Sequence, residues 1–97
     1  MLYLFVLAAS VQHTYTGQDE HLVCGGMGLK AADNWSYQAS ENAPRQNLSV
    51  NGNDNGRYII VGSCLIIKEV RGSDAGIYTC GRGRQLYHKL QLNVNGL

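Results

Sequence analysis

The stretch Leu65-Ile-Ile67-Lys-Glu-Val70-Arg-Gly-Ser-Asp74-Ala-Gly76-Ile-Tyr78-Thr-Cys80 decides how the rest of the chain is read. Side chains alternate sides along an extended segment, so Leu65 and Ile67 share one face. Residues 71–75 have room for one tight helical turn, and a second extended segment runs through Ile77 to Cys80. Working outward, short apolar or branched runs recur between turn residues. They cover 12–16, 21–24, 34–39, 46–50, 57–61, 64–70, 77–80 and 86–94. Asn51-Gly-Asn-Asp-Asn-Gly56 is the clearest turn, because Asn, Asp and Gly tolerate positive φ. Gly81-Arg-Gly-Arg84 reads as the tip of a final hairpin. No segment shows sustained helical periodicity, and the spacing of strands and turns is that of an all-β sandwich.

Composition agrees. The chain has 97 residues, of which 44% are hydrophobic, and this suits one small domain that would gain from a covalent staple. Twelve glycines against one proline indicate many turns. A formal net charge of +1 gives no bulk attraction to a polyanion. Residues 1–10 are uncharged and mostly apolar. They read either as what remains of a secretory signal, with Ala8 and Ser10 near a cleavage site, or as a first edge strand over 2–7. They are too short to span a bilayer. The domain proper occupies 11–97.

The alternating run ending in Asp74-x-Gly76-x-Tyr78-x-Cys80, with Cys24 upstream and Trp35 eleven residues after it, resembles the immunoglobulin superfamily over residues 12–94. The resemblance implies an immunoglobulin-like antiparallel β-sandwich with Greek-key topology. It implies that Cys24 and Cys80 bridge the two sheets, that Trp35 packs on the bridge, and that the Tyr78 hydroxyl bonds back to upstream backbone. In variable-like members an aspartate at the place of Asp74 pairs with an arginine at the place of Arg57. Leu22, Leu65, Ile67, Leu90, Leu92 and Val94 then point inward. Rearranging antigen receptors carry a long loop after the second cysteine, whereas Gly81-Arg-Gly83 follows Cys80 directly here. The nearest pattern is therefore that of innate immune-type and cell-adhesion receptors, in the variable or intermediate set. The domain is expected outside the cell, as a secreted or cell-surface ectodomain whose membrane anchor would lie outside this chain.

Cys64 is the odd cysteine, either an inert half-buried thiol or an intermolecular partner. Some immune-type receptor domains pair a cysteine at this place with one in the loop before the tryptophan, but residues 25–33 contain none. By alternation with Leu65, Cys64 faces outward. The candidate binding face combines the Trp35 strand with the final hairpin. Its outward side chains would be Ser36, Gln38, Ile77, Thr79, Tyr87 and Lys89, with the basic tip Arg82 and Arg84. The partner expected is a protein ligand or a second copy, or an acidic glycan met by the basic hairpin. Nucleic acid is not expected, because the patch is small and lacks interleaved aromatics. Asn34-Trp-Ser36 and Asn47-Leu-Ser49 are candidate glycosylation sequons. No cofactor or metal is implied: His13, His21 and His88 lack ligand spacing, and no serine or carboxylate cluster suggests catalysis.

Overall fold

The computed structural model describes residues 9–24, 34–48, 56–82 and 84–96, with positions 9 and 85–87 described by backbone alone. The strands are β1 (Ala9–Tyr15), β2 (Glu20–Val23), β3 (Asn34–Gln38), β4 (Gln46–Asn47), β5 (Tyr58–Val61), β6 (Cys64–Ile67), β7 (Gly76–Arg82) and β8 (Gln85–Asn95), with a 3-10 turn at Gly72–Asp74. They form a five-stranded sheet ordered β1-β8-β7-β3-β4 and a three-stranded sheet ordered β2-β6-β5. The connections β1–β2, β2–β3, β4–β5 and β6–β7 each cross from one sheet to the other, so the chain closes both sheets around one core.

One pairing departs from an all-antiparallel sandwich. β1 runs parallel to β8, from Ala9 opposite Lys89 to Tyr15 opposite Asn95. No hairpin joins these two strands, so nothing in the connection demands antiparallel pairing. The described edge strand thus begins at Ala9, ahead of the run expected from residue 12. An edge strand over 2–7, the signal reading, the loop 25–33 and the turn 51–55 lie outside the described residues.

The core follows the alternation. Leu22, Leu65 and Ile67 of the smaller sheet face Trp35, Tyr78, Cys80, Leu90 and Leu92 of the larger, all nearly inaccessible, and Val70 and Leu48 close the sides. Val94 is half-buried against this cluster. Each fully buried branched or aromatic side chain contributes roughly 1.5–3 kcal/mol of transfer free energy.

Two ties fasten the sheets at opposite ends. At one end Cys24 and Cys80 form a disulfide with Cα atoms 5.9 Å apart, and Trp35 lies opposite Cys80 in the adjacent strand. Closing a loop of 56 positions is worth about 4 kcal/mol in the chain-entropy model. At the other end stands Asp74. Its carboxylate is ion-paired with Arg57, accepts the Arg71 N–H at 2.7 Å, and accepts the Tyr58 hydroxyl at 3.0 Å. The Tyr78 hydroxyl donates to the Asp74 carbonyl oxygen at 2.6 Å. Tyr37 packs on Tyr78 with ring centroids 5.1 Å apart and donates to the Ala75 carbonyl at 2.7 Å. Arg57 and Tyr58 belong to the side of the small sheet, and Tyr37 and Tyr78 to the large one. Tyr37 and Tyr58 were absent from the sequence expectation because their approach to Asp74 depends on strand register.

Two glycines are set by backbone geometry. Gly62 has φ 58° in the two-residue loop Gly62-Ser63 between the paired residues Val61 and Cys64, which suits a type II′ hairpin turn. Gly76 has φ 152°, and a Cβ there would sit 2.5 Å from the Gln38 carbonyl oxygen and 2.7 Å from the Tyr37 ring. Both obstacles are held in place, one being backbone and the other tied to the 3-10 turn. A third local constraint sits at Asp19. Its carboxylate accepts Lys68 Nζ and the N–H of Glu69, each at 2.9 Å, and these bonds hold its pKa below the ordinary carboxylate value.

Two predictions follow from this end of the sandwich. Gly76→Ala is expected to cost about 2–4 kcal/mol through clash and backbone strain, read by urea denaturation. A cost under about 0.5 kcal/mol would mean that the approach of β3 to β7 is looser than described. Burial, followed by the nearby Asp74 charge, pushes the Tyr58 phenol from 10.0 up to about 12, and burial raises Tyr78 and Tyr37 in the same direction. A raised acid stabilises the fold fully below the unfolded pKa and loses that contribution as pH rises through the folded one. Stability should therefore hold up to about pH 10 and fall between about 10 and 12. Tyr58→Phe should make that decline shallower in alkaline denaturation monitored by tryptophan fluorescence.

Candidate binding surfaces

The outer face of the five-stranded sheet is built in rows. Ser36, Thr79 and Lys89 lie side by side, and Gln38, Ile77 and Gln91 form the next row. Alternation places these side chains outside the core, but Gln38, Ile77 and Thr79 are not exposed. Gln38 and Ile77 are each 9% accessible and Thr79 3%. Gln38 donates its side-chain amide to the Ala43 carbonyl at 3.1 Å, so the turn after β3 folds over it. Lys89, opposite Thr79 in the register, reaches Glu41 at 2.8 Å. Gln38 and Ile77, expected on the exposed face, are thus nearly inaccessible on it. Sequence alternation identifies the side of a sheet and carries no information on what a distant turn lays over it.

The final hairpin closes at Arg82 opposite Gln85, and Arg82 and Arg84 are exposed. Gly83 lies outside the described residues. The register shifts between Cys80 opposite His88 and Gly81 opposite Leu86, which leaves Tyr87 as the extra residue of a bulge in β8. Alternation counted back from Lys89 therefore does not carry through Tyr87, whose side chain is outside the described set. His88 Nε2 lies 2.7 Å from Ser10 Oγ and joins β8 to β1. Of the sequon residues, Asn47 is exposed on the edge strand β4 opposite Ser36, and Asn34 is half-buried opposite Gly81.

The opposite outer face, on the three-stranded sheet, was missed by the sequence reading. Its first row is Val23, Cys64 and Val61, and its second is His21, Ile66 and Ile59. Val23 is 60% exposed, Val61 59% and Ile59 39%, with Ile66 and Cys64 half-buried on the central strand. Half-exposed antiparallel sheets ordinarily alternate apolar and polar residues. The signal was present in the unbroken runs Tyr58-Ile-Ile-Val61 and Cys64-Leu-Ile-Ile67, apolar on both sides of the pleat. Cys64 carries no disulfide, and the whole sequence holds three cysteines, two of them bridged. Among the described residues no three His, Cys, Asp or Glu side chains gather as a metal site, and no helix is long and apolar enough to cross a membrane.

No protein-family model matches the chain, and no curated protein matches its sequence. Solved structures do. An extracellular fragment of novel immune-type receptor 10 from Ictalurus punctatus superposes with a TM-score of 0.70 at 19% identity, covering 91% of this chain and 99% of that one. The extracellular domain of the voltage-gated sodium channel beta4 subunit, described as a parallel homodimer that explains a role in cell–cell adhesion, gives 0.64 at 20% identity over 100% and 99%. Drosophila Semaphorin 2a gives 0.72 at 21% identity over 94% of this chain, which spans only 15% of that protein. At these identities the likeness is one of fold: the chain is an immunoglobulin-fold β-sandwich domain.

Proposed function

We propose that this domain is an extracellular recognition module that binds a protein ligand, or an acidic glycan, through its final hairpin. The observation that carries the reading is the exposed pair Arg82 and Arg84 at the β7–β8 turn, on a segment with no acidic residue from position 75 onward. Arginines placed this way can make charge-assisted bidentate bonds to carboxylates or sulfates. Tyr87, in the bulge beside them, supplies an aromatic of the kind that anchors interfaces. Lys89, paired with Glu41, flanks the site. The neighbouring folds come from an immune-type receptor and an adhesion protein, which supports recognition over catalysis. The disulfide suits an oxidising, extracellular setting.

A second reading, self-association, is favoured by the apolar outer face of the small sheet and by the homodimeric state described for the beta4 domain. Glycans at Asn47 or Asn34 belong to the same extracellular reading.

The test is multimerised domain applied to a panel of cells, compared with a variant carrying Arg82→Ser, Arg84→Ser and Tyr87→Ser. The reading expects cell staining to fall at least about tenfold, as removal of two charge-assisted contacts and one aromatic anchor would require. Staining that persists with the fold intact would move the ligand site away from the hairpin.

A further inference from the structure

We infer that Asn47 is an N-linked glycan acceptor, that Asn34 is not, and that the glycan stands on the outer face of the five-stranded sheet. This rests on the extracellular reading and decides between its two sequons. Asn47-Leu-Ser49 and Asn34-Trp-Ser36 both satisfy the acceptor pattern, so the difference lies in where the fold places them. Asn34 opens β3 half-buried opposite Gly81, and Ser36 of the same sequon has Thr79 on one side and Asn47 on the other. The Ser36 hydroxyl donates to the Thr79 carbonyl oxygen at 3.4 Å. That sequon is therefore built into the middle of the sheet. A glycan there would begin from a half-buried amide, and each sugar hydroxyl pressed against the sheet without a partner would cost free energy. Asn47 differs. It ends the two-residue strand β4, which is last in the sheet order, and it is exposed. A bulky, solvated glycan is accommodated at such a place without burying a polar group.

Register fixes the side on which the glycan stands. Asn47 lies opposite Ser36, and directly opposed residues of an antiparallel pair share a face. Trp35 and Leu48, their chain neighbours, are both in the core, so Ser36 and Asn47 turn outward. Asn47, Ser36, Thr79 and Lys89 thus form one row across β4, β3, β7 and β8, about 14 Å long at about 4.8 Å per strand. A glycan rising from the end of this row overhangs it. A protein interface of ordinary size takes up about 800 Å² per partner. An overhung sheet cannot be laid flat against a partner of that size, which turns ligand contact away from the middle of this face.

The test secretes the full chain from cultured mammalian cells behind a supplied signal sequence and runs the medium on a gel with and without peptide N-glycosidase. The wild type should drop in apparent mass by one glycan on treatment. That shift should vanish in Asn47→Gln and in Ser49→Ala, which keeps the asparagine, and persist in Asn34→Gln. A wild type secreted without a shift would overturn the acceptor, as would a shift of two glycans or one lost only in Asn34→Gln. Amide NMR spectra of the glycosylated wild type and Asn47→Gln test the placement. Thr79 and Lys89 lie two and three strands from Asn47, and their resonances should move between the two proteins. Changes confined to β4 and β3 would overturn the overhang. Neither measurement uses a ligand, so its failure leaves the hairpin reading standing, and a failed cell-staining test leaves the glycan standing.

Discussion

The buried carboxylate of Asp74 is the constraint around which the sandwich is arranged. Its side chain receives a guanidinium and a phenol from the side of the small sheet and a backbone N–H from its own turn, while the backbone carbonyl oxygen of the same residue accepts the Tyr78 hydroxyl of β7. An unpaired carboxylate at 2% exposure would be costly to desolvate, so each partner is needed. The consequence is geometric. The 3-10 turn, the start of β7 and the start of β5 are held in one arrangement, and Gly76 is the residue that lets β7 leave that arrangement against Tyr37 and Gln38.

At the far end the Cys24–Cys80 bridge performs the matching task by covalent means. The two ends are thus fastened, and Leu22, Leu65, Ile67, Trp35 and Leu92 fill the space between. Exposed arginines at the β7–β8 turn and exposed valines on the small sheet lie outside this fastened core.

The fold was legible in the sequence because its marks are local. Asp74, Gly76, Tyr78 and Cys80 fall within seven residues, and alternation from Leu65 identifies the core. The rest depended on long-range register. Tyr37 and Tyr58 join Asp74 only once β3 and β5 are laid beside their neighbours. Gln38 is bonded to the turn at 41–43, and Ile77 beside it is nearly inaccessible, which no period-two pattern encodes. The parallel β1–β8 pair has no connecting turn to announce it. The apolar face around Cys64 was written in plain view as runs without alternation, but such runs read equally well as fully buried strands. The residues proposed for binding are the least legible part, since exposed arginines in a turn look alike whether solvated or engaged.

The most direct test of this account is a double-mutant cycle on Arg57→Met and Asp74→Asn, with unfolding free energies measured by urea titration of the two single variants, the double variant and the wild type. If Asp74 organises the end of the sandwich through its buried partner, the cycle gives a coupling energy of about 1–3 kcal/mol. If the two changes add to within about 0.3 kcal/mol, the pair is energetically independent and the sheets are held together by the core and the disulfide alone.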